Sequence, residues 1–309
     1  MKPKIVVVGS ANTDMVVHVQ HLPEPGETVL GGDYSQSQGG KGANQAVAAA
    51  RLEADVTFIA RLGRDAFGDA SIASFKADGI NTRHIVRDDK APSGVALIMV
   101  NRHGENIIAV SPGANAKLSP DDIFAAESAI QGANCLLVQL EIPVETVQTA
   151  VQLAAKHHVP VILNPAPATQ LPPALLEMID YLTPNETEAA FLAGGYSAKH
   201  ASDAAYLLTS KFKVKNIVIT LGEKGAMVTG FHNKTVPSYS VNSIDTTGAG
   251  DAFNGGLAVA LAQGKKLVDA VKFANAVAAL STTCVGAQSS MPTLKDVEKI
   301  LIENRLYFE

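Results

Sequence analysis

The sequence predicts an α/β fold, a three-layer α/β/α sandwich around a mostly parallel sheet, and three observations carry that expectation. Short runs rich in Val and Ile recur along the chain, a helical pattern follows most of them, and helix-start chemistry sits at the junctions. With 309 residues, 47% of them hydrophobic, the chain is long enough to bury a sizeable core. It is read as one domain over 1–309, with a smaller β-layer attached.

Taken in order, "KIVVVG" is the first strand, and "GANQAVAAARL" is a helix whose residues from Gln45 to Ala50 are assigned to packing. "VTFIARLG" and the helix "DAFGDASIASFKADG" repeat the unit. "SPDDIFAAESAIQG" reads as one helix, with Ser119 as its N-cap and Pro120 at the first helical position. "NCLLVQLE", "VPVILNP", "YLTPNE" and "NIVITLG" are further strands, and "PVETVQTAVQLAAKHH" and "SDAAYLLTSKF" are helices among them. Right-handed crossovers join such units. The helical pattern vanishes between about Asp14 and Gln38 and again between about Ser93 and Ser111. There "GVALIMVN" and "ENIIAVS" alternate around a Gly104 turn, which predicts a β-layer used as a lid or as a dimer contact.

Composition narrows the function. A formal net charge of -5 without lysine and arginine runs leaves no electrostatic footprint for nucleic acid. The opening apolar run is too short for a signal peptide or a membrane span, so a cytoplasmic protein is expected. Cys135 and Cys284 lack the spacing of a zinc site or a redox pair, and both are read as small core residues. His157 and His158 close a helix and are read as surface residues.

In open α/β sheets ligands bind beyond the carboxyl ends of the strands. Here those ends carry Ser10, Asn12 and Asp14, then Glu141, Asn164, Asn185, Glu186 and Glu188, and finally Gly222, Lys224 and Gly225. Carboxylates, amides and glycines with few aromatics suit a polyhydroxylated ligand and a phosphate donor. Neither GxxxxGK[ST] nor a strand followed by GxGxxG is present, so a nicotinamide-dependent oxidoreductase has no fingerprint here.

Phosphate is held another way. In "SIDTTGAGDAFNGGL", Gly248, Ala249 and Gly250 open a helix whose N–H groups and dipole can cradle an oxyanion; the same residues would also serve as a plain tight turn and cap. Asp251, in the first turn beside that cradle, is placed to accept a proton from an attacking hydroxyl. In a second Gly-rich element, "SQGGKGANQAVAAARL", Gly39 and Gly40 permit close approach of the backbone to a ligand, Gly42 opens a helix whose N-terminus favours polar or anionic groups, and Lys41 and Asn44 offer donors to hydroxyls. The same stretch also reads as a Gly-rich turn into a packed helix.

"GGKGANQAVAAARL" and "DTTGAGDAFNGGL" resemble the two signatures of the ribokinase family of sugar kinases. "GSANTD", "PEPGET", "SPGAN", "QLEIP", "NPAPA", "TPNETE", "TLGEKG" and "GAQSSMP" extend the resemblance over nearly the whole chain. The resemblance implies ATP-dependent phosphorylation of D-ribose at O5. Asn12, Asp14, Gly40, Lys41, Asn44 and Glu141 would hold the sugar, Asp251 would be the base, and Gly248, Ala249 and Gly250 the anion hole. Asn185 and Glu188 would organise Mg²⁺ through water, a mode this hard cation favours. Thr220, Gly222, Gly225, Gly250 and Asn275 would lie along the nucleotide. An activating monovalent cation, K⁺, would sit at Asp245, Thr247, Ser281, Gly286 and Ser290, largely on backbone carbonyls. Asp245 alone also reads as a turn-former, and Glu188 as a solvated acid on a helix face. The β-layer would be lid and homodimer contact. Deoxyribose, fructose or a nucleoside stay open as acceptors, and so does a non-catalytic sensor on the same fold.

Overall fold

A computed structural model describes residues 2–195, 201–229 and 233–305. Its strands are β1 (Lys4–Val8), β2 (Asn12–Val19), β3 (Tyr34–Gly39), β4 (Asp55–Gly63), β5 (Asn81–Asp88), β6 (Gly94–Asn101), β7 (Asn106–Ser111), β8 (Cys135–Val138), β9 (Val161–Leu163), β10 (Tyr181–Leu182), β11 (Asn216–Thr220), β12 (Ala226–Val228) and β13 (Lys234–Val236). The helices are α1 (Lys41–Arg51), α2 (Ala66–Ala77), α3 (Pro120–Phe124), α4 (Glu127–Gln131), α5 (Val144–Lys156), α6 (Pro173–Leu176), α7 (Glu186–Leu192), α8 (Ala201–Phe212), α9 (Ala249–Ala262), α10 (Leu267–Ser281) and α11 (Leu294–Arg305).

Nine strands form the central sheet in the order β13-β12-β11-β10-β9-β8-β1-β4-β5, parallel from β11 to β5 and closed at the other edge by the antiparallel β12 and β13. Its inner strands are apolar on both faces, as a helix-covered parallel sheet requires. In β1, Ile5 and Val7 pack into the core under α1, α2, α9, α10 and α11, whereas Val6 and Val8 pack into the core under α3 to α8. Phe58 of β4 meets Phe75 of α2 edge to face, with ring centroids 5.4 Å apart.

The β-layer is a separate four-stranded sheet, β3-β2-β6-β7. It begins at Asn12, two residues earlier than the sequence suggests, so its base reaches into the region beyond the ends of the central strands. Asn115 fastens that base: its Oδ1 accepts the Ala11 N–H at 2.9 Å, and its Nδ2 donates to Asn12 Oδ1 at 2.7 Å.

Two sequence expectations need correction, for one helix and for Cys284, and two more, for Gln45 and for the paired histidines, hold only in part. The helix expected over "SPDDIFAAESAIQG" breaks at Ala125 and Ala126 into α3 and α4, although Ser119 does cap α3, in a reciprocal capping box with Asp122. Cys284 is exposed on the turn after α10 and is not a core residue like Cys135. Gln45, assigned to packing, is fully buried but spends its amide on hydrogen bonds, described below. Of the two histidines at the end of α5, His158 is exposed, while His157 is partly buried and contacts Glu127 at 2.8 Å.

Candidate active site

The segment after β1 turns through Gly9 and Ser10 into β2, and β3 returns through Gly40 into α1. Gly40 has φ +87°, and a Cβ there would stand 2.7 Å from the Ala11 Cα and the Asn12 N, so this close crossing excludes any other residue. The crossing sets the N-terminus of α1 against the carboxyl ends of β1 and β8. Glu141, just past β8, locks it: its Oε2 accepts from Ser10 Oγ at 2.5 Å and from the Lys41 N–H at 3.0 Å.

Opposite lies the N-terminus of α9. Gly248 is its N-cap, with φ +77° and ψ 1°, a left-handed conformation that favours glycine. The Ala249 N–H donates to the Thr246 carbonyl at 3.2 Å within this turn. Among the described residues, no protein acceptor meets the N–H of Gly248 or of Gly250, the open donors that a helix start offers to an anion.

Asp251 follows at once and is buried. Asn44 Nδ2 donates to its Oδ2 at 2.8 Å, and Gln45 Nε2 donates to its Oδ1 at 2.9 Å. Burial pushes this carboxyl above the usual carboxylate range; the Lys41 ammonium and the two amide donors pull the other way. Lys41 is in turn held protonated, first by Asp251 and then by Glu141 and Glu188, against its own burial. Asp14 completes the group. Burial, with Glu141 and Asp251 nearby, raises its pKa to about 6. Asn12, Asp14, Gly40, Lys41, Asn44, Glu141 and Asp251 thus come from β2, α1, the end of β8 and α9 to one place. The buried Asn44 Oδ1 has no hydrogen-bond partner there.

Beside this group a cavity of about 650 Å³ runs along the outer end of β11. Thr220, Gly222, Gly225, Gly250 and Asn275 all line it, together with Tyr239, Val241 and Phe253. Asn275 also fixes the chain after β13 as one wall, since its Nδ2 donates to the carbonyls of Val236 and Pro237 at 2.9 and 3.0 Å. Asn185 and Glu188 form a reciprocal capping box on α7, at 2.8 and 2.9 Å, beside Thr220, to which Asn185 is bridged. Burial raises the Glu188 carboxyl above its ordinary range, offset by the Asn185 N–H and Lys41. Among the described residues no three His, Cys, Asp or Glu side chains gather as a metal cage.

Asp245 joins two loops. Its Oδ1 accepts from the Thr247 N–H and Oγ1 at 2.9 and 2.7 Å, and its Oδ2 accepts from the Gly286 N–H at 2.8 Å. Burial would raise this carboxyl, but those bonds hold it below the usual range. The hydroxyls of Ser281 and Ser290 are spent on the carbonyls of Ala278 and Ala287.

Sequence reasoning missed the side chains behind the site: Gln45 as a hydrogen-bonding group, Gln139, Thr183, Asn254 and Asn115. One available signal was a glutamine within an Ala-rich helical run, where a buried amide must find partners.

Residues 2–294 match the pfkB family of carbohydrate kinases, and the chain belongs to that family. Within it, the chain is 43% identical over 304 residues to the ribokinase of Haemophilus influenzae, covering 97% of this chain and 99% of that one. It is 39% identical to the deoxyribokinase of Salmonella typhimurium, with 97% and 99% covered. Its fold is similar to that of Arabidopsis thaliana ribokinase in complex with ribose and ATP, at a TM-score of 0.89 and 34% identity over 97% of this chain and 99% of that one.

Proposed function

We propose that this chain is an ATP-dependent sugar kinase that converts D-ribose and ATP to D-ribose 5-phosphate and ADP. The observation that carries the reading is the buried Asp251 carboxylate set directly beside the open N–H groups of Gly248 and Gly250. A base and an anion hole on one helix turn are what in-line phosphoryl transfer asks of a protein. The acceptor side, with Asn12, Asp14, Lys41, Asn44 and Glu141, offers charged and amide groups with no aromatic wall, which favours a small polyhydroxylated ligand over a nucleoside. Similarity to ribokinases, one of them bound to ribose and ATP, supports the same substrates.

The chemistry follows from these positions. The O5 hydroxyl gives its proton to Asp251 as O5 bonds to the γ-phosphorus; the bond from that phosphorus to the bridging oxygen breaks, and ADP leaves with its electron pair. Burial raises the Asp251 carboxyl, and the Lys41 ammonium with the amide donors of Asn44 and Gln45 opposes that rise, favouring the ionised, proton-accepting form. The open Gly248 and Gly250 N–H groups and the α9 dipole receive charge on the transferred group, while the Ala249 N–H, expected to join them, is committed to the Thr246 carbonyl.

Asn185 and Glu188 fit a hydrated Mg²⁺, because the cap engages only Oε2 of Glu188. Bound there, Mg²⁺ neutralises phosphate charge. K⁺ would be held at Asp245, which already joins Thr247 and Gly286, and by the carbonyls of Thr247, Ser281, Gly286 and Ser290, the serine hydroxyls being committed elsewhere. Bound there, K⁺ adds positive charge behind the anion hole. The four-stranded sheet closes over the sugar and excludes water, and Leu97, Ile107, Ile108 and Val110, exposed on it, serve a homodimer contact. The enzyme works in the cytoplasm without a nucleic-acid partner, in keeping with its net charge of -5; among the described residues no helix is long and apolar enough to cross a membrane.

ADP release from Mg-ATP with potassium, compared across D-ribose, deoxyribose, fructose, adenosine and pseudouridine, tests the proposal. The highest kcat/KM is expected with D-ribose. A higher value for deoxyribose or another acceptor would reassign the substrate, and no ADP release with any of them would overturn the kinase reading.

A further inference from the structure

Behind the site runs a chain of buried amides and one hydroxyl, of which the reaction as described uses only the Gln45 donor. Gln45 stands at its centre, fully buried on α1, where an unpaired amide would be costly. Its Nε2 donates to Asp251 Oδ1 at 2.9 Å and to Asn164 Oδ1 at 3.1 Å, while its Oε1 accepts from Gln139 Nε2 at 2.5 Å.

The polarity of this arrangement is fixed at both ends. An ionised Asp251 can only accept. Asn164 Nδ2 donates to the Thr183 backbone carbonyl at 3.1 Å, which also can only accept, so Asn164 must present its oxygen to Gln45. The chain then returns to α9: Thr183 Oγ1 donates to Asn254 Oδ1 at 2.6 Å, and Asn254 Nδ2 donates to the Gly250 carbonyl at 2.8 Å. Gln139, Asn164 and Thr183 stand just past β8, β9 and β10, so Asp251 and its neighbour Gly250 are both tied to the carboxyl edge of the sheet.

We propose that Gln45 is a positioning residue for phosphoryl transfer: through this chain its amide holds the Asp251 carboxylate in the orientation that meets the acceptor hydroxyl. The proposal rests on Asp251 being the base. Asn44 donates to the other oxygen, and with both oxygens engaged the carboxylate cannot turn. Preorganisation of this kind acts on kcat and leaves ground-state binding of sugar and nucleotide largely alone. It also favours the ionised base, as the Lys41 ammonium on α1 does, against burial and against the like charges that face Asp251 from Glu141 past β8, Asp14 on β2 and Glu188 on α7.

Steady-state kinetics of Gln45→Leu and of the near-isosteric Gln45→Glu, each alone and combined with Asp251→Asn, provide the test. Gln45→Leu should lower kcat roughly 10- to 100-fold with both KM values within about threefold, the loss of one hydrogen bond to a charged group. Its kcat–pH profile should move its acid limb to higher pH, and Gln45→Glu should move that limb further by adding a second carboxyl beside the base. In the Asp251→Asn background Gln45→Leu should add little. An unchanged kcat and acid limb in a folded variant, or a loss confined to KM, would overturn the positioning role. Should Gln45→Leu not fold, the acid limb of Gln45→Glu decides in the same way. Near-normal turnover by Asp251→Asn alone is a different result, for it would defeat the base assignment itself.

Discussion

On the acceptor side of the crevice Asn12, Asn44 and Asp251 are buried, and each is hydrogen-bonded to a residue far away in sequence. Along the cavity beside β11, proposed for the nucleotide, Gly222, Ser240 and Ser243 are exposed, and glycines and small polar side chains share the wall with Tyr239, Val241 and Phe253 and with a loop held from behind by Asn275. A buried group of fixed polarity discriminates one hydroxyl arrangement from another, because a wrong partner leaves it unpaired. A more open wall, with glycines, small polar groups and a few apolar side chains, suits recognition by shape and phosphate charge. In the proposed reading, acceptor specificity rests on buried side chains of fixed polarity, and nucleotide binding more on the shape of an open wall.

Substitution of Asp14 by alanine should break this contrast most visibly, raising the ribose KM roughly 10- to 150-fold, the cost of one hydrogen bond to a charged group, while the ATP KM stays level. Initial-rate measurements with each substrate varied in turn check it. Acid should do part of the same to the wild type. Asp14, with its pKa raised to about 6, is mostly ionised above that pH, where in the proposed reading it would accept from the sugar, and mostly protonated below it. The ribose KM should therefore climb about tenfold per unit below pH 6, while the ATP KM does not follow. A parallel climb in both would place the effect elsewhere.

Glu188→Gln keeps an oxygen to accept the Asn185 N–H, so the α7 cap survives while the charge goes. The Mg²⁺ concentration for half-maximal activity should rise about tenfold. Magnesium titrations at fixed total ATP would show this, and an unmoved midpoint would take Glu188 out of the metal's surroundings. The smallest effect is expected at Asn275. Its replacement by alanine removes two hydrogen bonds to the chain after β13, each contributing about 1 kcal/mol. The melting temperature should fall and the ATP KM rise a few-fold, with the ribose KM unchanged.

Chain-local features of the fold and the site could be read from the sequence. The Val- and Ile-rich runs mark the inner strands because those are buried on both faces, and the glycine turn before Asp251 is one continuous stretch. β5, "NTRHIVRD", escaped notice because an edge strand carries charge where inner strands carry Val and Ile. β12 and β13 are three residues each, too short for a period to register. Ala125 and Ala126 carry no breaking signal, and tertiary packing divides the helix there. The amide chain from Gln139 through Gln45, Asn164 and Thr183 to Asn254 lies on five separate stretches of sequence. Only the strand order brings them into contact.

The most direct test of Asp251 as the base is a rapid-quench single turnover of Asp251→Asn, run beside calorimetric binding of ribose and ATP to the same preparation. The asparagine keeps the side chain's shape and removes the proton acceptor. Binding should stay within a few-fold of wild type while the transfer rate falls by roughly 10²- to 10⁴-fold, the usual worth of a general base. Transfer within tenfold of wild type, with binding intact, would contradict the account.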